Sequence, residues 1–217
     1  MRQVYVIAEG QTEEAFIRDT LSAYLEPFGV NLTAVVLKTK RLRSGKAFKG
    51  GVTSWTQIQR EVRSLLGAAQ ATGVTTMLDL YGLPPDFPGQ PSRPSQARAA
   101  VNHLERCARD AIGDSRFIPY LSMHEFEALL FSDPRVVARR AGSPEIELRL
   151  QVALSDCGEP ELVDDSPASA PSKRIIDAWP RYAKTTDGPV IAAAIGIARL
   201  RERCPHFDAW IGTLELL

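Results

Sequence analysis

Acidic side chains follow three apolar, strand-like segments of this sequence, at the point where each segment stops. They are Glu9 after residues 4–8, Asp79 after residues 74–78, and Glu125 and Glu127 after residues 116–121. Because open α/β sheets keep their sites at the carboxyl ends of parallel strands, we expect these acids to face one crevice. Carboxylate oxygens are the ligands that hard divalent cations take. The pattern therefore predicts a metal site at one edge of a sheet.

Glu13 lies four residues after Glu9, in the first turn of the helix that Thr12 is expected to cap. If Gly10 makes the turn tight, the Glu9 and Glu13 carboxylates point into the same crevice. Acids in a first helical turn also complement the helix dipole, so Glu13 and Glu14 have an alternative role as caps. Glu9 has no capping duty at its position, since it directly follows buried strand residues.

The composition is that of an ordinary soluble protein. Of the 217 residues, 44% are apolar, and 26 basic residues balance 26 acidic ones. With zero net charge, any contact with nucleic acid must come from a local patch. No apolar run approaches the ~20 residues of a membrane span, and the chain enters a strand without a signal peptide, so a cytoplasmic location is expected. The three cysteines are far apart, which favours reduced thiols.

Strand-like and helix-like segments alternate through the first two thirds of the chain. Apolar runs predict strands at residues 4–8, 31–37, 74–78 and 116–121, and apolar positions three or four apart predict helices at 12–26, 54–70 and 95–112. Beyond Pro134, helices and polar linkers follow, with a helix opening at Gly188 and another at the end. We expect an α/β core over 1–135, with a four-stranded, mainly parallel sheet flanked by helices. A helical C-terminal extension over 136–217 would pack on that core.

One block of the chain carries charge of a single sign. Residues 38–51 contain no acid, their glycines favour a flexible loop, and the six basic residues are Lys38, Lys40, Arg41, Arg43, Lys46 and Lys49. A flexible basic loop beside a carboxylate crevice predicts a clamp for the phosphate backbone of nucleic acid. A solvated surface loop is the alternative. Lys173, Arg174 and Lys184 could bring further positive charge to the crevice or lie on the surface.

Three other residues near the predicted crevice allow more than one interpretation. His124 could be a general base or a metal ligand, although a single histidine is more often structural. Asp86 is a further acid in a proline-rich loop that is expected to form a wall of the crevice. Asp133 precedes Pro134 and is expected to cap a helix. On a helix Glu125 and Glu127 would point about 200° apart, so only one of them is expected to face a metal.

The three groups of acids together resemble the Toprim domain, the metal-binding α/β module of topoisomerases, bacterial primases and OLD-family nucleases. Its pattern is a glutamate and a glycine after the first strand and Asp-x-Asp after the third. Glu9 with Gly10 matches the first part, and Asp79 matches the first aspartate. Tyr81 stands where the second aspartate is expected, which leaves the number of metal ions open.

Five separated motifs are similar to the DUF4276 family, a Toprim-like bacterial family, and they span nearly the whole chain. The motifs are residues 8–13, 79–84 with 87–89, 124–132, 171–174 and 204–207. The resemblance implies a nuclease that hydrolyses phosphodiesters of DNA or RNA with Mg²⁺ or Mn²⁺. It further implies an ATPase partner and a place in a phage-defence or restriction-associated system. The alternatives are a non-catalytic sensor or adaptor subunit that binds an ATPase and, less favoured, an enzyme that acts on nucleotides.

The same resemblance implies a role for each candidate residue. Glu9 would bind metal or transfer a proton, Glu13 and Asp79 would bind metal, and Glu125 or Glu127 would complete the shell. Lys173 would stabilise charge on the phosphate as a catalytic residue. In two-metal sites carboxylates hold the ions ~4 Å apart, one activating water and one stabilising the leaving oxygen.

Overall fold

The computed structural model describes residues 1–37, 54–163 and 170–217. The strands are β1 (Arg2–Ala8), β2 (Val30–Val36), β3 (Ala71–Asp79), β4 (Phe117–Ile118) and β5 (Leu121–Ser122). The helices are α1 (Gln11–Phe16), α2 (Ser22–Leu25), α3 (Trp55–Leu66), α4 (Ala97–Ile112), α5 (Pro134–Ala141), α6 (Glu145–Cys157), α7 (Pro171–Ala178), α8 (Lys184–Ile195), α9 (Ile197–Arg203) and α10 (Pro205–Glu215). All six basic residues of the predicted phosphate clamp lie outside the described residues.

The strands form one parallel sheet in the order β2-β1-β3-β4, and β5 pairs with β3. Parallel strands need crossover connections, which helices supply here between β1 and β2 and between β3 and β4. The predicted α/β class, with a parallel sheet flanked by helices and further helices at the C-terminus, is confirmed. Because β1 and β3 are neighbours, their carboxyl ends lie side by side.

The fourth strand is interrupted, where the sequence predicted one strand over residues 116–121. Pro119 has no N–H to donate, so the ladder cannot continue through it. The side chain of Thr76 replaces the missing strand hydrogen bonds: its hydroxyl donates to the carbonyl of Tyr120 at 2.8 Å and accepts from the Tyr120 N–H at 2.9 Å. The chain resumes pairing with β3 at β5 and leads directly to His124 and Glu125.

The helical segment after β1 is irregular, where the sequence predicted one helix over residues 12–26. A π-helical turn, Ile17–Leu21, separates α1 from α2, and a 3₁₀ turn, Glu26–Phe28, ends the segment. Gly29 follows with φ of 74°, a left-handed conformation that glycine adopts without strain. The predicted cap, Thr12, is wrong, since the N-cap residue is Gly10.

Two apolar cores cover the two faces of the sheet. Alternate residues of β1 enter different cores: Val4 and Val6 pack with α1 and the C-terminal helices, whereas Ile7 packs with α3 and α4. Helix α10 is tied to the sheet by Trp210, whose indole N–H donates to the hydroxyl of Thr75 at 2.8 Å. The C-terminal helices thus share a core with the sheet, and a division after residue 135 stays a prediction.

Candidate active site

Glu9 joins the carboxyl ends of β1 and β3. Its Oε2 atom accepts a hydrogen bond from the main-chain N–H of Asp79 at 3.0 Å. Gly82 lies against the same carboxylate, because a Cβ atom at that position would be 2.7 Å from both Glu9 oxygens. Since only glycine lacks a Cβ, the residue at position 82 lets the 3₁₀ turn Leu80–Gly82 approach Glu9 closely.

Glu13 is buried and caps helix α1. Its Oε2 atom accepts a hydrogen bond from the Gly10 N–H at 2.9 Å, as in a capping box. The capping interpretation is therefore confirmed for Glu13. The side chain also lies close enough to Glu9 for the charge of one carboxylate to raise the pKa of the other. Its role as a metal ligand stays a prediction.

The carboxylates of Glu125 and Glu127 both contact the same lysine. The Nζ atom of Lys184 lies 3.6 Å from Glu125 Oε1 and 3.5 Å from Glu127 Oε2. The expectation that the two side chains point about 200° apart is therefore wrong, and whether one or both of them face a metal stays a prediction. It assumed helical geometry, whereas Glu125 is extended, with φ of −136° and ψ of 161°, and precedes the 3₁₀ helix Phe126–Ser132.

Helix α8 positions Lys184 at its first residue, where the sequence predicted a loop and a helix beginning at Gly188. Asp187 stabilises the first turn of α8, because its Oδ2 atom accepts a hydrogen bond from the Ala183 N–H at 2.9 Å. At Gly188 a Cβ atom would be 3.0 Å from the hydroxyl of Tyr182 and 3.3 Å from Thr12 Cγ2. This close packing against α1 brings the lysine to the strand ends.

The pKa of Glu127 is unusually high for a carboxylic acid. It is 3% exposed, and this burial raises its pKa to about 7, although the nearby Lys184 ammonium opposes the shift. The hydroxyl of Tyr182 donates a hydrogen bond to Glu127 Oε1 at 3.3 Å. Near neutral pH this carboxyl group is therefore able to take up or release a proton.

The pKa values of Glu9, Glu13 and Asp79 are raised as well. Burial is the largest cause for each of them. For Asp79 the charges of Glu9, Glu13, Glu127 and Glu125 raise the pKa further. Burial first, and the repulsion between the carboxylates second, thus disfavours their charged forms, and a cation placed between them would stabilise those forms.

The donor chemistry of this cluster fits Mg²⁺ or Mn²⁺, because all its candidate ligands are carboxylate oxygens. One of them, Asp79 Oδ1, is buried without a hydrogen-bond partner among the described residues. Within residues 1–37, 54–163 and 170–217, no group of three or more His, Cys, Asp or Glu side chains is arranged to hold a metal ion. Mg²⁺ commonly takes only one or two protein carboxylates and completes its shell with water and substrate phosphate. Glu9 and Asp79 meet that smaller requirement.

The comparison that decides the family covers almost the entire chain. Residues 8–215 match the family model described as "Domain of unknown function (DUF4276)". The chain belongs to the DUF4276 family. The family predicted from the five motifs is thereby confirmed.

Two solved structures resemble this DUF4276 protein along its whole length. The C-terminal region of the Burkholderia pseudomallei OLD protein is 16% identical, with a TM-score of 0.47, and the match covers 98% of this chain and 96% of that one. The C-terminal region of the Xanthomonas campestris pv. campestris OLD protein is 16% identical, with a TM-score of 0.41, and the match covers 100% and 98%. Among curated proteins no match was found. Of the helices in the described ranges, none has the length and hydrophobicity that crossing a membrane requires.

The DUF4276 protein holds its other predicted cations in different places. Lys173 is exposed on α7, one residue beyond Ser172, whose N–H donates to Glu125 Oε2 at 3.1 Å. Arg174 follows and is half-buried. Helix α7 thus reaches the acidic cluster through its backbone, whereas Lys184 reaches it with its side chain. The catalytic role predicted for Lys173 and the nucleic-acid contacts predicted for Arg174 and Lys184 stay predictions.

Three remaining candidates have defined surroundings. Asp86 caps α3, because its Oδ1 atom accepts from the Trp55 N–H at 2.9 Å. Asp133 caps α5 as predicted, since its side chain accepts from the Arg135 N–H. His124 is buried, and its ring lies 5.4 Å from that of Tyr81.

Two members of the site were not singled out for it from the sequence. The sequence did indicate a turn at Gly82, because this glycine lies three residues after Asp79, the acid at the end of a strand. Tyr182 had none, since nothing in a single tyrosine after a proline-containing turn indicates contact with an acid 55 residues earlier in the chain.

Proposed function

We propose that this DUF4276 protein is a metal-dependent nuclease that hydrolyses phosphodiester bonds of DNA or RNA. The observation that carries the proposal is the convergence of Glu9, Asp79, Glu125 and Glu127 at the ends of neighbouring strands, with Lys184 among them. Phosphoryl transfer needs positive charge at the phosphate and a group that moves a proton, and this cluster offers both. The Toprim resemblance supports the same chemistry.

In this proposal Glu9 and Asp79 hold the ion, with Glu13, Glu125 and Glu127 as the further predicted ligands. Bound there, Mg²⁺ or Mn²⁺ would supply Lewis-acid stabilisation of the phosphate oxygens and an activated water. Lys184 would hold a non-bridging phosphate oxygen at its Nζ atom. Its pKa is raised, because Glu127 and Glu125 outweigh the opposing effect of burial, so the ammonium stays charged at neutral pH.

Cleavage assays test the proposal directly. Purified protein is incubated with single-stranded DNA, plasmid DNA and RNA in Mg²⁺ or Mn²⁺, beside the variants Glu9→Gln and Asp79→Asn. The rate of cleavage by each variant should fall at least ~100-fold. Loss of a carboxylate ligand weakens metal binding, and the charge at the reacting phosphate is then no longer stabilised. Glu14→Gln is the matched control, since Glu14 lies in the same first turn as Glu13 but contributes to none of the raised pKa values in the cluster. Equal rates in wild type and all three variants would remove the proposal.

We further propose, from the family resemblance, that the protein is a cytoplasmic effector subunit that works with an ATPase in a phage-defence or restriction-associated system. Co-purification with an ATPase encoded beside it, and cleavage that depends on that ATPase, would support this extension. Cleavage that is unchanged by the ATPase, with no co-purification, would contradict it.

A non-catalytic sensor or adaptor is the second candidate function. One observation favours it: the Lys184 ammonium is already engaged by both Glu125 and Glu127. Titration with Mn²⁺ separates the two candidates. Saturable binding that Glu9→Gln abolishes supports the nuclease, whereas the absence of binding together with ATPase co-purification supports the adaptor.

A further inference from the structure

A cavity of about 500 Å³ adjoins the acidic cluster, and neither the motifs nor the proposed chemistry assigns it a role. One wall is formed by Leu80 and Tyr81, which follow Asp79 in the chain, and by His124, which precedes Glu125. The cavity and the cluster therefore share two chain segments. Its volume lies within the range of ~300–1,000 Å³ that is usual for sites of small molecules.

The lining of the cavity also includes two arginines. They are Arg93 and Arg98, and the described residues contain no ion pair and no side-chain hydrogen bond of Arg93. Arg98 is held by Glu159, whose Oε1 atom lies 2.5 Å from a guanidinium nitrogen. An arginine that is half-buried in a cavity wall and has no acidic partner in the described part of the chain is placed to pair with an anion.

The start of helix α4 adds to this positive potential. Gln96, Ala97 and Arg98 line the cavity, and Gln96 is the N-cap residue of this 16-residue helix. Among the described residues, the N-cap side chain makes no capping hydrogen bond, and no acid lies in the first turn. The first-turn N–H groups and the positive end of the helix dipole therefore add to the positive charge of Arg93 in the same cavity lining.

The shared wall is aromatic. The rings of Tyr81 and His124 lie 5.4 Å apart at an interplanar angle of 32°, and Tyr81 is 44% exposed. An exposed ring that packs on a second ring is a platform for a nucleobase. The cavity thus offers both an anion site and an aromatic surface, the two features that a nucleoside phosphate requires.

We propose that this cavity binds one nucleotide, with its phosphate at Arg93 and the start of α4 and its base on Tyr81. In a nucleic-acid strand this is the nucleotide next to the bond held at the acidic cluster. The proposal rests on the proposed nuclease function for that context. The chemistry alone also suits a free nucleoside monophosphate, and the experiment distinguishes the two sources.

Binding is measured in EDTA, where no metal-dependent cleavage occurs. The probes are a fluorescent single-stranded 12-mer of DNA, the matching 12-mer of RNA, a 12-mer of abasic DNA, and unlabelled AMP and dAMP as competitors. Arg93→Ala should weaken binding of the DNA or RNA 12-mer at least about tenfold, because a charge-assisted phosphate contact is lost. Tyr81→Ala should weaken binding of the same strand by about tenfold and leave binding of the abasic strand within about twofold.

Arg109→Ala is the matched control, since it removes the same charge from an exposed position at the other end of α4. It should change each affinity by less than about twofold. Competition by AMP or dAMP that Arg93→Ala abolishes would support the cavity and identify a free nucleotide as a ligand. Arg93-dependent binding of the strand alone would support it with the strand as the ligand.

Equal affinities in wild type, Arg93→Ala and Arg109→Ala, or equal losses in the two variants, would overturn the proposal. Circular dichroism of each variant excludes unfolding as the reason for a loss. The outcome is separate from that of the cleavage assays: Arg93-dependent binding without cleavage keeps the nucleotide site and removes the nuclease. If the protein cleaves nucleic acid but its affinity for the 12-mers does not depend on Arg93, the nuclease is kept and the nucleotide site is contradicted.

Discussion

Glu9 accepts a hydrogen bond at 3.0 Å from the main-chain N–H of Asp79, which lies 70 residues later in the chain. This contact joins the tips of the two central strands and fixes one oxygen of the Glu9 carboxylate. The pKa of Glu9 is nevertheless raised, because burial outweighs the hydrogen bond that favours the charged form. The strand tips thus carry a carboxylate that is held in place but incompletely stabilised.

The contact between Glu9 and Gly82 predicts a variant that separates activity from stability. In Gly82→Ala the new Cβ would lie 2.7 Å from both Glu9 oxygens, so the carboxylate must move. Because the end of a flexible side chain moves at small cost, we expect a loss in free energy of unfolding below about 1 kcal/mol. Cleavage or Mn²⁺ affinity should fall at least about tenfold, since the ligand is displaced.

Gly67→Ala is the control for this variant. Its Cβ would make only ordinary contacts, 3.4 Å and 3.5 Å from backbone oxygens, so activity should be unchanged. Wild-type activity in Gly82→Ala would show that the position of the Glu9 carboxylate does not matter.

Two lysines compete for the role of stabilising phosphate charge. Lys184 contacts Glu125 and Glu127, whereas Lys173 is exposed. We expect Lys184→Ala to reduce the rate of cleavage at least ~100-fold and Lys173→Ala to reduce it less than about fivefold, in single-turnover assays with one substrate. The reverse order would restore Lys173 as the catalytic residue.

The stability of the metal-free protein should depend on pH through Glu127. Its pKa is about 7 in the folded protein because the group is buried, against about 4.3 for an unperturbed glutamate. A carboxyl group with a raised folded-state pKa contributes stability below its unfolded pKa and loses that contribution as pH rises through the folded pKa. The free energy of unfolding should therefore fall between about pH 4.5 and about pH 7.

The variant Glu127→Gln keeps the size of this side chain but does not titrate. In urea denaturation in EDTA, its free energy of unfolding should fall less steeply over the same pH window, by on the order of 1–3 kcal/mol. Glu14→Gln serves as the control and should follow the wild-type slope. A Glu127→Gln slope that matches wild type would contradict the burial and pKa of this group.

Trp210 should anchor the C-terminal helices to the sheet. It is buried, its ring stacks on that of Tyr120 at 4.2 Å, and it donates to Thr75. Trp210→Ala should cost ~3–5 kcal/mol in free energy of unfolding, and Trp210→Phe ~1–3 kcal/mol, since the phenyl ring fills most of the site without the hydrogen bond. The exposed control Leu216→Ala should stay within ~0.5 kcal/mol, and losses below 1 kcal/mol in both Trp210 variants would contradict the anchoring role.

The sequence predicted those parts of the site that depend on local patterns. Glu9 and Asp79 were recognisable because an apolar strand ending in an acid places that acid at the carboxyl edge of a parallel sheet. The capping alternative for Glu13 was recognisable from its place in the first helical turn. The parallel sheet followed from the alternation of strands and helices.

What the sequence did not predict depends on packing between distant segments. The sequence left open whether Lys184 lies at the crevice or on the surface. It reaches Glu127 because Gly188 lets α8 lie close to α1, a contact that no local pattern encodes. The shared orientation of Glu125 and Glu127 arises from an extended residue before a 3₁₀ helix, where periodicity suggested a regular helix. Pro119, which interrupts the fourth strand, is apparent in the sequence. The two hydrogen bonds of the Thr76 hydroxyl with the Tyr120 backbone are not.

The proposed nuclease requires that Glu9 and Asp79 share a divalent cation. A crystal soaked in Mn²⁺, with data collected for anomalous scattering, tests this. We expect an anomalous peak within about 2.5 Å of a carboxylate oxygen of both Glu9 and Asp79, and no such peak in crystals of Glu9→Gln. A peak only at other residues, or no peak at saturating Mn²⁺ with Lys184 still contacting Glu125 and Glu127, would contradict it.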